Sequence, residues 1–304
     1  MDLSVVVPTL NGRERLAASL DSLAAVAPGA EVIVVNGPSA DGTTGMVRDR
    51  DDVDVLVEIS ARNVNVARNA GIEVASGDAV AFVGYDYRVE DDWYAAVRAA
   101  FEEGAPVVTG PLRRTVKGGA TSQGPERRQI ADREVSYFNG RNVAFRRGVL
   151  DDLDGFDEYL ETGGARDASH RLAGMSVPVE WDAEMAARRK SEATDGGVAD
   201  RELGWKYRAL AYRLIKNYGT RPTVVRRTLS HASSDAVAAF RDVLRGDATP
   251  TSWAGNGRDV VTGIASGVSD GLVARTKDRS PRRNPNGVSA RADRAVARYD
   301  RRTE

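Results

Sequence analysis

Four short apolar runs, each followed by a helix-like pattern, limit the folds open to the first part of this chain. Leu3 to Val7 stops at Pro8, Val32 to Val35 stops at Asn36-Gly37-Pro38, and Val53 to Ile59 and Ala79 to Val83 follow. β-Branched runs bounded by turn formers read as strands buried on both faces, the pattern of a parallel sheet. Between them, Leu16, Leu20 and Leu23 share one helix face, Asp41 or Thr43 can cap a second helix, and residues 63–74 form a third helical pattern. The alternation predicts an α/β fold, a mostly parallel sheet with helices on both faces.

The fourth run opens into Gly84-Tyr85-Asp86-Tyr87, ahead of a helix starting near Trp93. An acid at the carboxyl end of a central strand lies where open α/β sheets bind ligands. Asp86 can equally be an ordinary strand–loop junction residue. The first strand is not followed by G-x-G-x-x-G, and G-x-x-x-x-G-K-[ST] is absent, which argues against dinucleotide-binding and P-loop enzymes.

The 304 residues include no cysteine, which excludes disulfides and thiolate metal sites, and a reducing compartment is expected. Asp2 leads straight into a strand, so no secretory leader is expected, and no apolar run is long enough to span a membrane. Net charge is −1, yet residues 201–304 hold 21 of the 43 basic residues and only 10 of the 44 acidic ones. The carboxyl-terminal third is therefore suited to polyanions. There, Leu203, Tyr207, Leu210, Leu214 and Tyr218 share a helix face flanked by Lys206, Arg208, Arg213 and Lys216. Such a helix either lies on an anionic membrane surface or docks on its own chain. Farther on, Gly263, Gly267 and Gly271 recur every fourth residue, a smooth face for close helix packing. From Arg275 the chain reads as a disordered basic tail.

Four ordered stretches carry a resemblance: SVVVPTLNGRERLAASLDSL, EVIVVNGPSADGT, ARNVNVARNAGIEVASGDAVAFVGYD and FNGRNVAFRRGVLDDLDGFDE. They resemble the inverting family 2 glycosyltransferases of the GT-A fold, over about the first 185 residues, and archaeal protein-glycosylation transferases among them. The resemblance implies a UDP- or GDP-sugar donor, with Pro8, Thr9 and Asn11 at the base pocket and Asn36 where the family has an Asp. Asp41 is implied as a donor contact or a helix cap, and Arg68 as a pyrophosphate contact or an exposed helix arginine. The family's DxD becomes Gly84-Tyr85-Asp86, leaving Asp86 to hold Mg²⁺ or Mn²⁺. The family's Glu-Asp aligns with Gly164-Ala165, leaving Asp167 as the base unless it is a helix cap, with Glu161 next in line; Asp157 is implied on the acceptor side.

The implied organisation is a catalytic domain over 1–185 (donor half about 1–90, acceptor half about 91–185). A helical basic extension over 186–275 and a disordered tail over 276–304 follow it. The implied activity moves a hexose or hexuronic acid onto a dolichol- or polyprenol-phosphate-linked glycan at the cytoplasmic face of a membrane, without nucleic acid. A non-catalytic nucleotide-sugar binder and a sugar nucleotidyltransferase stay open as alternatives. The latter would need a Gly-rich arginine loop that Pro8 to Leu16 does not supply.

Overall fold

The computed structural model describes residues 1–116, 119–122, 124–190, 203–223, 226 and 250–303. The polar, glycine-containing stretch from Lys190 to Arg201, which reads as a linker, lies outside them except for Lys190. The chain divides into two compact units. One holds residues 1–127, 136–192 and 286–304, and the other holds 128–135 and 193–285.

The first unit begins with β1 (Leu3–Thr9), α1 (Arg13–Val26), β2 (Glu31–Asn36), α2 (Thr43–Arg48), β3 (Val55–Ile59), α3 (Val64–Val74) and β4 (Ala79–Val83). After β5 (Arg88–Val89) come α4 (Trp93–Glu102), β6 (Val107–Thr109), β7 (Leu112–Val116), β8 (Gly119–Ser122) and then the hairpin β9–β10 (Glu126–Ile130, Arg133–Tyr137), most of which falls in the second unit. Next are β11 (Asn142–Arg146), α5 (Arg147–Leu153), α6 (Gly164–Gly174), β12 (Glu180–Trp181) and β13 (Ala187–Lys190). The second unit adds α7 (Leu203–Tyr218) and α8 (Pro250–Lys277), and β14 (Ala295–Asp300) belongs to the first.

Eight strands make one sheet in the order β12-β6-β11-β4-β1-β2-β3-β14, with β3, β2, β1 and β4 mutually parallel and β11 and β14 antiparallel. Side chains alternate across β1. Val5 and Val7 meet Leu16, Leu20 and Leu23 of α1 with Trp93 and Val97 of α4, while Val6 faces Val66 and Ala70 of α3 and Leu172 of α6. On that second side Phe82, Phe145 and Phe156 meet edge to face at 5.2–6.3 Å, contacts worth about 0.5–1.5 kcal/mol each beyond burial. The sheet is mostly parallel and covered by helices on both faces, as the alternating pattern predicts.

The carboxyl-terminal expectation changes. Residues 286–303 are ordered, and β14 extends the sheet beside β3 instead of forming a loose tail. Fully buried Arg294 ties this segment inward through ion pairs to Glu73 and Glu158. The return also moves the domain boundaries away from 185 and 275.

In the second unit α8 lies along α7 through the glycine stripe. A Cβ at Gly263, Gly267 or Gly271 would run into the carbonyls of Gly204, Arg208 and Tyr212. Arg208 and Asp270 also pair at 2.8 Å. Tyr207, Tyr212, Leu214 and Tyr218 are buried, so that face of α7 is covered by the chain itself. Among the described residues, no helix is long and apolar enough to cross a membrane.

Candidate active site

The chain winds from β1 through β2 to β3 and then returns to place β4 on the other side of β1. Connections leave the carboxyl ends of β1 and β4 in opposite directions, which opens a crevice there. A cavity of about 730 Å³ occupies it, reached by Pro8 and Thr9 after β1, Val83 and Gly84 after β4, Arg68 of α3, and Glu161. Thr9 is buried, and among the described residues its hydroxyl has no hydrogen-bond partner.

Arg68 gives the cavity its charge. It is 6% exposed, its Nη1 donates to Asn65 Oδ1 at 2.9 Å, its Nη2 donates to the Gly140 carbonyl at 2.8 Å, and its Nε has no partner among the described residues. Among the described residues no carboxylate pairs with it. Burial first, and then the neighbouring Arg141 charge, push Arg68 down to about 9. A Cβ at Gly140 would press on the guanidinium, which would have to shift to admit it. A buried cation without a counter-ion is costly unless a ligand brings one. At the rim, Arg166 pairs with Glu126 at 2.8 Å and stacks on the Tyr137 ring at 4.4 Å.

Three asparagines set the next segment. Asn63 caps α3 and donates to the Glu158 carbonyl at 2.9 Å, Asn65 donates to the Leu160 carbonyl, and Asn69 donates to the Phe156 carbonyl at 2.8 Å. Pinned at 156, 158 and 160, the chain delivers exposed Glu161 to the cavity. These asparagines are additions to the residues picked out from sequence. Their visible signal is Asn65 and Asn69, one helical turn apart among apolar neighbours on α3. Asp157 is fully buried and accepts from Asn286 at 2.9 Å, so it anchors the returning segment and does not face an acceptor.

Asp167 is likewise out of place for a base. It is fully buried, it pairs with Arg171 at 2.9 Å, and it does not line the cavity. The residue aligned with the family's first acid is Gly164, where a Cβ would collide with the Asn65 amide. Asn36 is buried and Asp41 is exposed, and both are engaged by neighbouring loops. Asn36 accepts from Ser39 and donates to Thr44, and Thr44 donates to Glu58. Asp41 accepts from the backbone N–H groups of Arg13 and Thr43, and Asn11 accepts from the Ala40 N–H. Neither Asn11, Asn36 nor Asp41 lines the cavity; they fasten the β1–α1 loop to the β2–α2 loop.

The expected metal ligand does not suit its task. One Asp86 oxygen pairs with Arg189 of β13 at 2.8 Å, and the other is buried without a partner among the described residues. The side chain is only 6% exposed and lies outside the cavity lining. With Gly84 in place of an acid, a divalent ion would find one carboxylate here, and that one is already shared with Arg189. Among the described residues no cluster of three His, Cys, Asp or Glu is placed to hold a metal.

The mixed sheet with a cavity at its switch point has the architecture of the GT-A fold. Residues 4–155, half of the chain, match Glycosyl transferase family 2, and the chain belongs to that family. It is 28% identical over 183 residues to Glycosyltransferase AglE of Haloferax volcanii, covering 53% of this chain and 58% of that one. It is 26% identical over 221 residues to a pre-mycofactocin glycosyltransferase of Mycobacterium tuberculosis, covering 64% and 44%. The chain thus spans about half the length of the curated relatives it matches. Among solved structures, S. aureus TarS 1-349 in complex with UDP-GlcNAc superposes with a TM-score of 0.65 at 16% identity, covering 92% of both chains. A Pyrobaculum calidifontis mannosyltransferase in complex with GDP-Man and Mn²⁺ gives 0.54 at 16% identity, covering 91% and 88%. At these identities both likenesses concern the fold.

Proposed function

We propose that this chain transfers a sugar from a nucleoside diphosphate sugar to a hydroxyl acceptor with inversion at the sugar carbon. The observation that carries this is Arg68, a buried cation without a carboxylate partner on the wall of the switch-point cavity. A diphosphate supplies the missing charge. Pro8 and Thr9, at the same end of the sheet, edge the space for the nucleoside.

Inversion needs the acceptor oxygen to attack C1 from the face opposite the diphosphate while a carboxylate takes its proton. Glu161 is exposed on the cavity wall and suits that base, whereas buried Asp167 does not. The reaction is derived without a step through a metal ion, because the Asp86 donor set does not fit one.

The transferred sugar is a hexose or hexuronic acid, and the acceptor is a glycan linked to dolichol or polyprenol phosphate in protein N-glycosylation or cell-surface glycan assembly. Similarity to AglE and the basic carboxyl-terminal third support this reading. The enzyme then works at the cytoplasmic membrane face. With the apolar face of α7 covered, its attraction to anionic lipid comes from exposed arginines and weakens with salt.

The test combines the purified chain with labelled UDP- and GDP-sugars and compares lipid-linked glycans from cells with and without the gene. Transfer, and a glycan one sugar short without the gene, are the expected results. The glycines at 84 and 164, where the family has acids, favour a second reading as a non-catalytic nucleotide-sugar binder. Binding without transfer to any acceptor would select it.

A further inference from the structure

Gly84 and Arg141 change places with the charge expected at the end of β4. The Gly84 N–H donates to the Arg141 carbonyl at 3.0 Å, and a Cβ on Gly84 would lie 3.0 Å from Arg141 Cβ and 3.1 Å from its Cδ. Where a family member projects an acid, this chain runs an arginine stem across a bare backbone. Arg141 is exposed on the cavity wall and, among the described residues, has no carboxylate partner. Its place is rigid. The neighbouring Asn142 accepts from the Trp93 indole at 2.8 Å and donates to the Met185 carbonyl at 2.6 Å, while the Arg141 N–H donates to Asn139 at 3.1 Å. Arg68 stands on the same wall, and Asp86 is already paired with Arg189.

We infer that Arg141, together with Arg68, neutralises the leaving diphosphate, so that transfer runs without a divalent cation. The inference rests on the nucleotide-sugar reading above. In the step, the acceptor oxygen forms its bond to C1 as the bond from C1 to the β-phosphate oxygen breaks. The bonding pair leaves with the nucleoside diphosphate, which gains one negative charge, and the acceptor proton passes to Glu161. A guanidinium can meet two phosphate oxygens with two N–H bonds, and both arginines are charged near neutral pH. Two arginines held without counter-ions thus supply beforehand the positive charge that a metal would otherwise bring.

Calorimetric titration of UDP, GDP, CDP and dTDP into the full chain tests this, once with EDTA and once with MnCl₂ in excess. The expected result is an affinity for one of them that is the same in both buffers. Arg141→Ala should weaken it about tenfold to a hundredfold, the loss of one charge-assisted interaction, and Arg141→Lys should recover part of that loss. Affinity that collapses in EDTA and returns with MnCl₂ would overturn the arginine role and leave the nucleotide-sugar reading standing. An Arg141→Ala chain that melts normally and binds as tightly as the parent would also overturn it. Failure of the parent to bind any of the four in either buffer would overturn both readings.

Discussion

Asp167 and Arg171 sit one turn apart on α6, fully buried, with Arg171 Nε donating to the Asp167 carboxylate at 2.9 Å. Arg171 also donates to the carbonyls of Leu153 and Gly155, so one guanidinium joins α6 to the end of α5 and the turn after it. Removing the acid strands a buried cation, which typically costs about 3–5 kcal/mol. Asp167→Ala should therefore lower the unfolding free energy by that amount in a urea titration. Its remaining folded fraction should turn over at nearly the parental rate, and a large loss of kcat at parental stability would return the base to Asp167.

Glu161 is the converse case. It is exposed and lines the cavity, so Glu161→Gln should leave thermal stability and nucleotide affinity unchanged. Loss of a base acting in the transition state should lower kcat about 10²–10⁴-fold. Single-turnover transfer with saturating donor measures this directly. An effect confined to donor KM would mark Glu161 as a binding group.

The sheet was legible because its strands are buried on both faces. Val5, Val6 and Val7 are all below one per cent exposed, so each strand reads as an unbroken apolar run whichever layer a residue meets. The site was less legible because its residues depend on distant partners. Nothing local to Gly164 signals that Asn65 fills its space, and nothing local to Asp86 signals Arg189 on a strand about a hundred residues later. β14 escaped for a different reason. Its side chains are mostly exposed, so it lacks the apolar alternation that marks a half-buried strand, and backbone pairing with β3 and ion pairs hold it.

Arg68 predicts a trade between stability and binding. Folded Arg68 titrates at about 9, below its ordinary value, so between those values the unfolded chain holds a proton that the folded chain has lost. Stability from this group therefore rises with pH above about 9, and below that the buried charge costs stability. Arg68→Met should keep or raise the melting temperature of the free chain near neutral pH and remove that alkaline gain. It should also weaken nucleotide diphosphate binding by about tenfold to a hundredfold. A strongly lowered melting temperature with unchanged binding would show that Arg68 serves the fold and not the ligand.

The returning segment should matter to catalysis as well as to stability. Ser289 donates to Asp154 through its backbone N–H at 2.7 Å and its hydroxyl at 2.6 Å, and Asn286 donates to Asp157 at 2.9 Å. Arg294 holds Glu158, whose carbonyl also accepts from Asn63. Residues 154–158 are thus gripped from one side by α3 and from the other by the carboxyl terminus, and Glu161 lies three residues beyond that grip. A chain ending at Pro285 loses this second side, leaves Glu73 and Glu158 without Arg294, and uncovers the edge of β3, a template for association between chains. It should unfold at lower urea, associate at high concentration and lose kcat by at least about tenfold, since a base displaced by about 1 Å can lose that much. Nucleotide affinity should hold, because the side chains of Thr9, Arg68 and Arg141 themselves make none of these contacts. Light scattering, urea titration and single-turnover transfer on the same preparation read the three effects. Parental stability and kcat in the shortened chain would show that the returning segment is dispensable to the site.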